Sequence, residues 1–229
     1  MHDSPAPRRL DVAVDLGLPL ADLAKVLTGA CEQVEDTAAR LVVASVTGCG
    51  DRPGAPGTTG VHEVNGWERA LRRWERLDAL TVAVAVGNCA GPALDLLSAC
   101  DLRVAGPALS LALPGTPSTG FWPGTVLHRL TQRNGGRATR HLCLLADRSR
   151  PLTAARALEL GLVDEIHGPA ELDAHLAELA ARLPARMEPA LLRQLVADAE
   201  HTSFEEALGV HLAACDRVLK VGAAHPDDV

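Results

Sequence analysis

The sequence predicts an α/β fold built on a parallel sheet and followed by a helical C-terminal region. Two apolar runs, "LVVASV" at residues 41–46 and "LTVAVAVG" at residues 80–87, have the β-branched character of strands buried on both faces. An alternating stretch at residues 9–15 and the helix-spaced segment after it complete a βαβ unit with the first run. We therefore predict a β/α core over residues 1–167 and packing helices over residues 168–229.

The composition is that of a globular protein with one sizeable core. Of the 229 residues, 47% are hydrophobic and 22% are charged, which are ordinary values for such proteins. The net charge of −7 disfavours non-specific attraction to nucleic acid or to anionic membranes. No apolar run reaches the ~18 residues of a membrane span, and the first ten residues contain no apolar secretion signal. The six cysteines are scattered and show no zinc-binding spacing with histidine. These features predict a cytoplasmic protein with reduced thiols and no bound metal.

Apolar spacing and glycine content define the elements of the first half of the chain. One helical stripe over residues 19–36 consists of Leu20, Leu23, Leu27, Ala30 and Val34. Residues 47–60 contain five glycines and two prolines, which predicts a loop without regular structure. A short helix follows, in which Trp67 and Trp74 are expected to lie in the core. Its basic residues have the spacing of a solvated helix face: Arg69, Arg72, Arg73 and Arg76.

The second half continues the alternation of strands and helices. A glycine turn after residue 87 precedes a predicted helix at residues 92–100, and short strands are predicted at residues 102–106 and 109–113. Thr153 is placed to cap a further helix that ends near Gly161, before the short strand "LVDEI". The remaining sequence has leucine stripes with helical spacing.

Three stretches resemble the crotonase, or enoyl-CoA hydratase/isomerase, superfamily. They are "TVAVAVGNCAGPALDLLSACDLRVA" at residues 81–105, "FWPGTVLHRLTQRNG" at residues 121–135 and "LTAARALELGLVDEI" at residues 152–166. The family has a strand, a triple-glycine turn, an acidic residue and Ala-Cys-Asp in the first stretch. It has Pro-Gly followed by Arg-Leu in the second, and Gly-Leu-Val before a charged strand in the third. The order and spacing agree, and the resemblance extends over roughly residues 40–220.

The resemblance implies a spiral β/α core that assembles into homotrimers or hexamers and binds acyl-CoA thioesters without a further cofactor. In this family two backbone N–H groups form an oxyanion hole for an enolate, and acidic side chains move protons. Such donors matter because the loss of one typically lowers the rate by ~10²–10³.

Both oxyanion donors can be placed by the resemblance. In "TTGVHEV" the first donor is the amide of Val61. The second falls on Pro92, which has no N–H to donate, so the role passes to the amide of Ala93 or to the helix N-terminus. The alternative interpretation is that Gly91 and Pro92 are only a favourable helix start.

The catalytic acids are altered. Asp95 stands where the family has its first glutamate and is expected to transfer protons, although a first-turn acid is also favoured by the helix dipole alone. The second glutamate is replaced by Gly115. His62 and Glu63, directly after Val61, and His128 are candidate substitutes.

The short chain, the missing second acid and the altered turn resemble the small crotonase-like proteins of dihydroxyphenylglycine biosynthesis. This resemblance implies a dehydratase-type role on a CoA-linked polyketide, beside a type III polyketide synthase that forms 3,5-dihydroxyphenylacetyl-CoA. Two alternatives stay open: a non-catalytic subunit that stabilises or activates a partner enzyme, and an ordinary enoyl-CoA hydratase or isomerase.

Overall fold

The chain forms two compact units, Met1–Met187 and Glu188–Val229. The computed structural model describes residues 9–47, 60–112, 124–145, 151–184 and 188–224. Within these ranges the strands are β1 (Arg9–Asp15), β2 (Leu41–Thr47), β3 (Leu80–Ala85), β4 (Asn88–Cys89), β5 (Leu102–Ala105), β6 (Ser110–Leu111), β7 (Leu152–Thr153) and β8 (Glu165–Ile166). The helices are α1 (Leu20–Thr37), α2 (Val61–Trp74), α3 (Pro92–Ala99), α4 (Val126–Arg140), α5 (Ala154–Glu159), α6 (Pro169–Arg182), α7 (Pro189–His201) and α8 (Phe204–Ala224), and a π-helical turn, His141–Leu145, follows α4.

Five of the described strands form a sheet in the order β1-β2-β3-β5-β8, and every pairing in it is parallel. A smaller sheet, β4-β6-β7, pairs β4 and β6 in parallel and β6 and β7 antiparallel. Parallel neighbours need crossover connections, and the helix-spaced segments of the sequence supply them. The predicted α/β fold with a parallel sheet is confirmed.

Both faces of the large sheet are covered, as the continuous apolar strands predict. In β2, Val42 and Ala44 point into a core that includes residues of α1, α2 and α3. Leu41 and Val43, which alternate with them, point to the other face and pack with Leu176 of α6. This packing places α6 in the first unit, although the predicted helical region begins at residue 168.

The arrangement of the strands positions the starts of α2 and α3. Strands β2 and β3 are neighbours in the sheet, and each is followed along the chain by one of these helices. Ligand sites of open α/β sheets lie beyond the carboxyl ends of their strands. The beginnings of α2 and α3 are therefore the places to search for a site.

The second unit contains α7 and α8, which lie in contact with each other. Several large apolar side chains on these helices are exposed, including Leu192, Val196, Phe204 and Leu212. None of the described helices combines the length and the hydrophobicity that a membrane span requires.

Candidate functional site

The first turn of α2 is closed by the side chain of Glu63. The amide of Gly60, at the N-cap, donates to Oε2 of Glu63 over 2.8 Å, and the amide of Glu63 donates to the carbonyl oxygen of Gly60 over 3.0 Å. This is a reciprocal cap of the helix. It gives Glu63 a structural role, because one carboxylate oxygen is already engaged by the backbone.

Val61 stands at the first helical position of α2, and 86% of its surface is exposed. Within the described ranges, the amides of Val61 and His62 donate no hydrogen bond, as is usual in the first turn of a helix. Such amides carry the positive end of the helix dipole. The predicted first oxyanion donor, the amide of Val61, thus belongs to an exposed residue in the first turn of α2.

The predicted second donor is engaged within its own turn. Gly91 precedes α3 with φ 52° and ψ −116°, a conformation that glycine adopts readily. Pro92 occupies the first helical position, and the amide of Ala93 donates to the carbonyl oxygen of Ala90 over 3.1 Å. Ala93 is also fully buried. Donation by Ala93 to a bound oxyanion would therefore require this turn to open.

Asp95 lies inside the protein. Its carboxylate is fully shielded from solvent, and its Oδ2 accepts a hydrogen bond of 3.2 Å from Nε1 of Trp67, which is equally buried. The contact joins α3 to α2. Asp95, which the sequence resemblance places at the family's first acid, is therefore a group of the helix–helix interface.

A cavity of about 840 Å³ lies between α2, α3 and α4. Val61 lines it at the start of α2, Ser98 lines it from α3, and His128 lines it from α4. The structure therefore brings the residue of the predicted first oxyanion donor, Val61, and one candidate acid–base group, His128, to the same cavity. The remaining predicted site residues are not among its lining side chains: His62, Glu63, Ala93 and Asp95.

Besides Arg129, which pairs with Glu68 and Glu75, three arginines line this cavity: Arg69, Arg72 and Arg133. None of the three has an ion pair or hydrogen bond within the part of the chain that the structure describes. Desolvation and the nearby charge of Arg103 lower the pKa of Arg133, which still leaves a guanidinium protonated at neutral pH. We call this cavity the arginine pocket.

A family assignment follows from comparison with known proteins. A family model for enoyl-CoA hydratase/isomerase matches residues 58–225. An enoyl-CoA-hydratase from Amycolatopsis orientalis is 47% identical over 199 residues, which cover 85% of this chain and 88% of the relative. The chain belongs to the enoyl-CoA hydratase/isomerase family. A more distant member from Bacillus subtilis is 36% identical over 121 residues, which cover 52% of this chain and 45% of that protein.

Solved structures of similar fold agree with this assignment. An enoyl-CoA hydratase from Bacillus anthracis superposes with a TM-score of 0.79 at 20% identity, covering 95% of this chain and 90% of that one. A structure from Thermobifida fusca, solved in complex with acetoacetyl-CoA, superposes with a TM-score of 0.73 at 20% identity, covering 95% and 93%. At this identity the likeness shows the shared fold.

The Ala-Cys-Asp segment of this family member is structural. Asp101 accepts hydrogen bonds from the amide and the hydroxyl of Thr81, at 2.8 and 2.9 Å, and so joins the starts of β3 and β5. Burial raises the pKa of the Cys100 thiol to about 12, and Nε1 of Trp74 lies 3.3 Å from its sulfur. A neutral, buried thiol is a poor nucleophile.

A buried charge network supports the floor of the arginine pocket. Arg129 pairs with Glu68 at 3.0 Å and with Glu75 at 2.7 Å, and Thr125 donates to both carboxylate oxygens of Glu68. Partial burial opposes ionisation of Glu68, but the bonds from Thr125 and Arg129 outweigh it and hold its pKa below the usual range. Glu68 and Glu75 thus balance the charge of Arg129, whereas Arg69, Arg72 and Arg133 have no such ion pair within the described residues.

The predicted solvated face of α2 is confirmed for Arg69, Arg72 and Arg76, which are exposed. Arg69 and Arg72 line the pocket, while Arg73 pairs with Glu32 and Glu35 of α1. The signal that identifies the pocket side is helical spacing from Val61, because Val61 and Arg72 are three turns apart on one face. Gly115, at the position of the second catalytic acid, lies outside the described residues.

Proposed function

We propose that the protein binds an acyl-CoA thioester at the arginine pocket and promotes hydration or dehydration beside the thioester carbonyl. The observation that carries this proposal is the position of Val61, an exposed residue at the start of α2 that lines the pocket. Two findings support the ligand class. The chain belongs to the enoyl-CoA hydratase/isomerase family, and a protein of the same fold has been solved with acetoacetyl-CoA.

The start of α2 would stabilise the charge that develops on the thioester oxygen. That charge needs donors already in place, since donors that must reorganise lose much of their effect. The amides of Val61 and His62 together carry the partial positive charge of the helix N-terminus. With Ala93 engaged by Ala90, α2 supplies the oxyanion donors and α3 supplies the pocket wall.

We assign proton transfer to His128. His128 is exposed and lines the pocket together with Val61, and an imidazole can act as either a proton donor or a proton acceptor. Asp95 is a positioning residue in this proposal, because it holds Trp67, and with it α2, against α3. His62, next to Val61 and outside the pocket wall, is the competing proton-transfer group.

The wall of the pocket favours an oxygenated acyl group. An alkyl chain would desolvate Arg69, Arg72 and Arg133 without returning hydrogen bonds, which is unfavourable for charged groups. Carbonyl and hydroxyl oxygens along a poly-β-keto chain would accept from these guanidinium groups. We therefore propose a CoA-linked polyketide as the substrate, released by a type III polyketide synthase and dehydrated towards 3,5-dihydroxyphenylacetyl-CoA. The gain of an aromatic ring provides a driving force for the loss of water.

The reaction can be tested with a short, stable thioester. Dehydration of 3-hydroxybutyryl-CoA is followed at the absorbance of the enoyl thioester, for the wild-type protein and for His128→Gln, His62→Gln and His211→Gln, an exposed histidine of α8 that serves as a control. We expect His128→Gln to lower the rate by ~10²-fold or more, the range for a lost acid–base group. The other two variants should keep most of the rate. Loss of activity in His62→Gln, with His128→Gln unaffected, would move the assignment to His62.

A second candidate function is a non-catalytic subunit that activates a partner synthase. The observation that favours it is the closed turn at α3, in which the Ala93 amide is engaged and Asp95 is buried. Co-elution with the synthase in size-exclusion chromatography tests this role. If His128→Gln abolishes dehydration yet still raises synthase turnover, the two functions are separate. If the protein neither co-elutes nor raises turnover, the activator role is excluded.

A further inference from the structure

A histidine–carboxylate cluster lies between the edge strand β8 and helix α6. Oε2 of Glu165 is 2.9 Å from Nε2 of His167 and 2.7 Å from Nε2 of His175. The two imidazole rings stack, with their centroids 4.1 Å apart and their planes inclined by 22°. All three potential ligand atoms lie within 4.8 Å of one another.

The fold itself directs these side chains to one place. Successive residues of a strand point to opposite faces, so Ile166 packs on the core beneath α1 to α3. Glu165 and His167 consequently point to the face that α6 covers. Helix α6 is anchored on that face by Leu176, the residue directly after His175.

The contact between His175 and Glu165 lacks the geometry of a hydrogen bond. Nε2 of His175 is shielded from solvent and has no hydrogen-bond partner within the described residues, although Oε2 of Glu165 is only 2.7 Å away. A buried polar atom without a partner is costly and rare. An ion between the ring nitrogens and the carboxylate would satisfy all three groups together.

We propose that Glu165, His167 and His175 bind a divalent transition-metal ion, with zinc as the best-suited member of that class. Two imidazoles and one carboxylate suit Zn²⁺, Co²⁺ or Ni²⁺ better than Mg²⁺ or Ca²⁺, which prefer oxygen ligands alone. Zinc bonds of ~2.0–2.2 Å place ligand atoms of one ion roughly 3–3.5 Å apart, so small side-chain rotations suffice here.

Asp164, the acid next to Glu165 in the sequence, is already paired with Arg103. The two carboxylate oxygens of Asp164 accept from Arg103 at 2.7 and 2.9 Å, and this pairing holds its pKa below the usual range. Three protein ligands and water are therefore the coordination that we propose.

The ion would fasten α6 to the last strand of the sheet. Its ligands come from β8 and α6, whereas the arginine pocket is built from α2, α3 and α4. The role is therefore structural and separate from the proposed reaction. The sequence predicts no metal because the three ligands, at the end of β8 and on α6, form neither a cysteine pair nor a short zinc motif.

Metal binding can be measured on the untagged, chelator-treated full chain. Zn²⁺ is titrated calorimetrically into the wild-type protein, into His175→Gln and Glu165→Gln, and into His211→Gln as a control for an exposed histidine. We expect one ion per chain and a rise in the thermal unfolding midpoint. Each cluster substitution should weaken binding at least ~10-fold, because even partners of metal ligands contribute 10–100-fold. His211→Gln should bind as the wild type does.

Cobalt substitution keeps the test decisive if a variant fails to fold. Co²⁺ bound by two imidazoles and a carboxylate shows visible ligand-field bands without the intense near-ultraviolet band of thiolate ligands. The proposal is overturned if Zn²⁺ does not saturate one site, or if both cluster variants bind with wild-type affinity. A thiolate band would also overturn it, since the ion would then lie on cysteine.

Discussion

The indole nitrogen of Trp67 donates a hydrogen bond to the carboxylate of Asp95 over 3.2 Å, and both side chains are fully buried. This contact gives Asp95 a structural role in the packing of α2 against α3. The sequence resemblance predicts that Asp95 is the family's first catalytic acid, yet its carboxylate lies in the interface between α2 and α3.

The two buried tryptophans of α2 provide a matched measurement of this contact. Trp67 donates to a carboxylate and Trp74 to the Cys100 sulfur, and carboxylates are the stronger acceptors. Trp67→Phe should therefore lower the free energy of unfolding more than Trp74→Phe, by about 1–2 kcal/mol beyond the packing loss that both share. Urea denaturation measures both values. Equal losses would show that the Trp67–Asp95 contact adds nothing to stability.

Arg129 should be essential for stability at neutral pH. Arg129→Met removes the ion pairs of Arg129 with Glu68 and Glu75, and the expected cost is about 3 kcal/mol, at the low end for a broken buried pair because Glu75 is partly exposed.

The cost of Arg129→Met should depend on pH in one direction. Glu68 has a pKa below its ordinary value of 4.5 in the folded protein, so its pairing stabilises the fold above that pH. This stabilisation is lost as the pH falls through the folded-state pKa. The difference between the wild type and Arg129→Met should shrink in acid, in denaturation curves measured from neutral pH downwards. A constant difference would contradict the network.

Two glycine substitutions should change stability in opposite directions. Gly91 has φ 52° and ψ −116°, which an alanine adopts only with strain, so Gly91→Ala should cost about 1–3 kcal/mol. Gly66 lies inside α2 with no atom within 4 Å of an added Cβ, so Gly66→Ala should gain about 0.5–1 kcal/mol of stability. Thermal unfolding of both variants checks the two signs.

The cysteines should differ in reactivity. Burial raises the pKa of Cys31 to about 11 and that of Cys100 to about 12, whereas Cys215 is exposed. The thiolate is the reactive form of cysteine. Iodoacetamide at pH 8 should therefore label Cys215 before Cys31 and Cys100, which should stay protected until the protein unfolds. Peptide mapping by mass spectrometry gives the order. Early labelling of Cys100 would contradict its buried position.

The sequence predicts the backbone of this fold well, because strong apolar patterns leave few alternatives. The runs around Val43 and Val84 are buried strands, and the spacing of Trp67 and Trp74 correctly predicts core positions. The short strands are less well predicted. Residues 109–113 are expected to form one, but only Ser110–Leu111 is paired within the described part of that stretch.

The candidate site is harder to predict because its chemistry depends on which way side chains and amides point. The sequence resemblance places Asp95 at the family's first acid position, but only the structure shows that its carboxylate is buried against Trp67. The sequence offers the amide of Ala93 as an oxyanion donor, but in the structure this amide donates to the carbonyl oxygen of Ala90 over 3.1 Å. Arg72 has the spacing of a solvated residue, and only the position of α4 in the fold shows that Arg72 also lines a pocket.

Paired calorimetric titrations test most directly whether the arginine pocket selects an oxygenated acyl group. Acetoacetyl-CoA and butyryl-CoA share CoA and a four-carbon chain and differ at the 3-oxo group. They are titrated into the wild-type protein, into Arg72→Gln and into Arg76→Gln, an arginine outside the pocket wall. A charged hydrogen bond of about 1.5–3 kcal/mol predicts roughly tenfold or greater preference for acetoacetyl-CoA. That preference should fall in Arg72→Gln and persist in Arg76→Gln. Equal affinities in the wild-type protein, or an unchanged preference in Arg72→Gln, would contradict the claim.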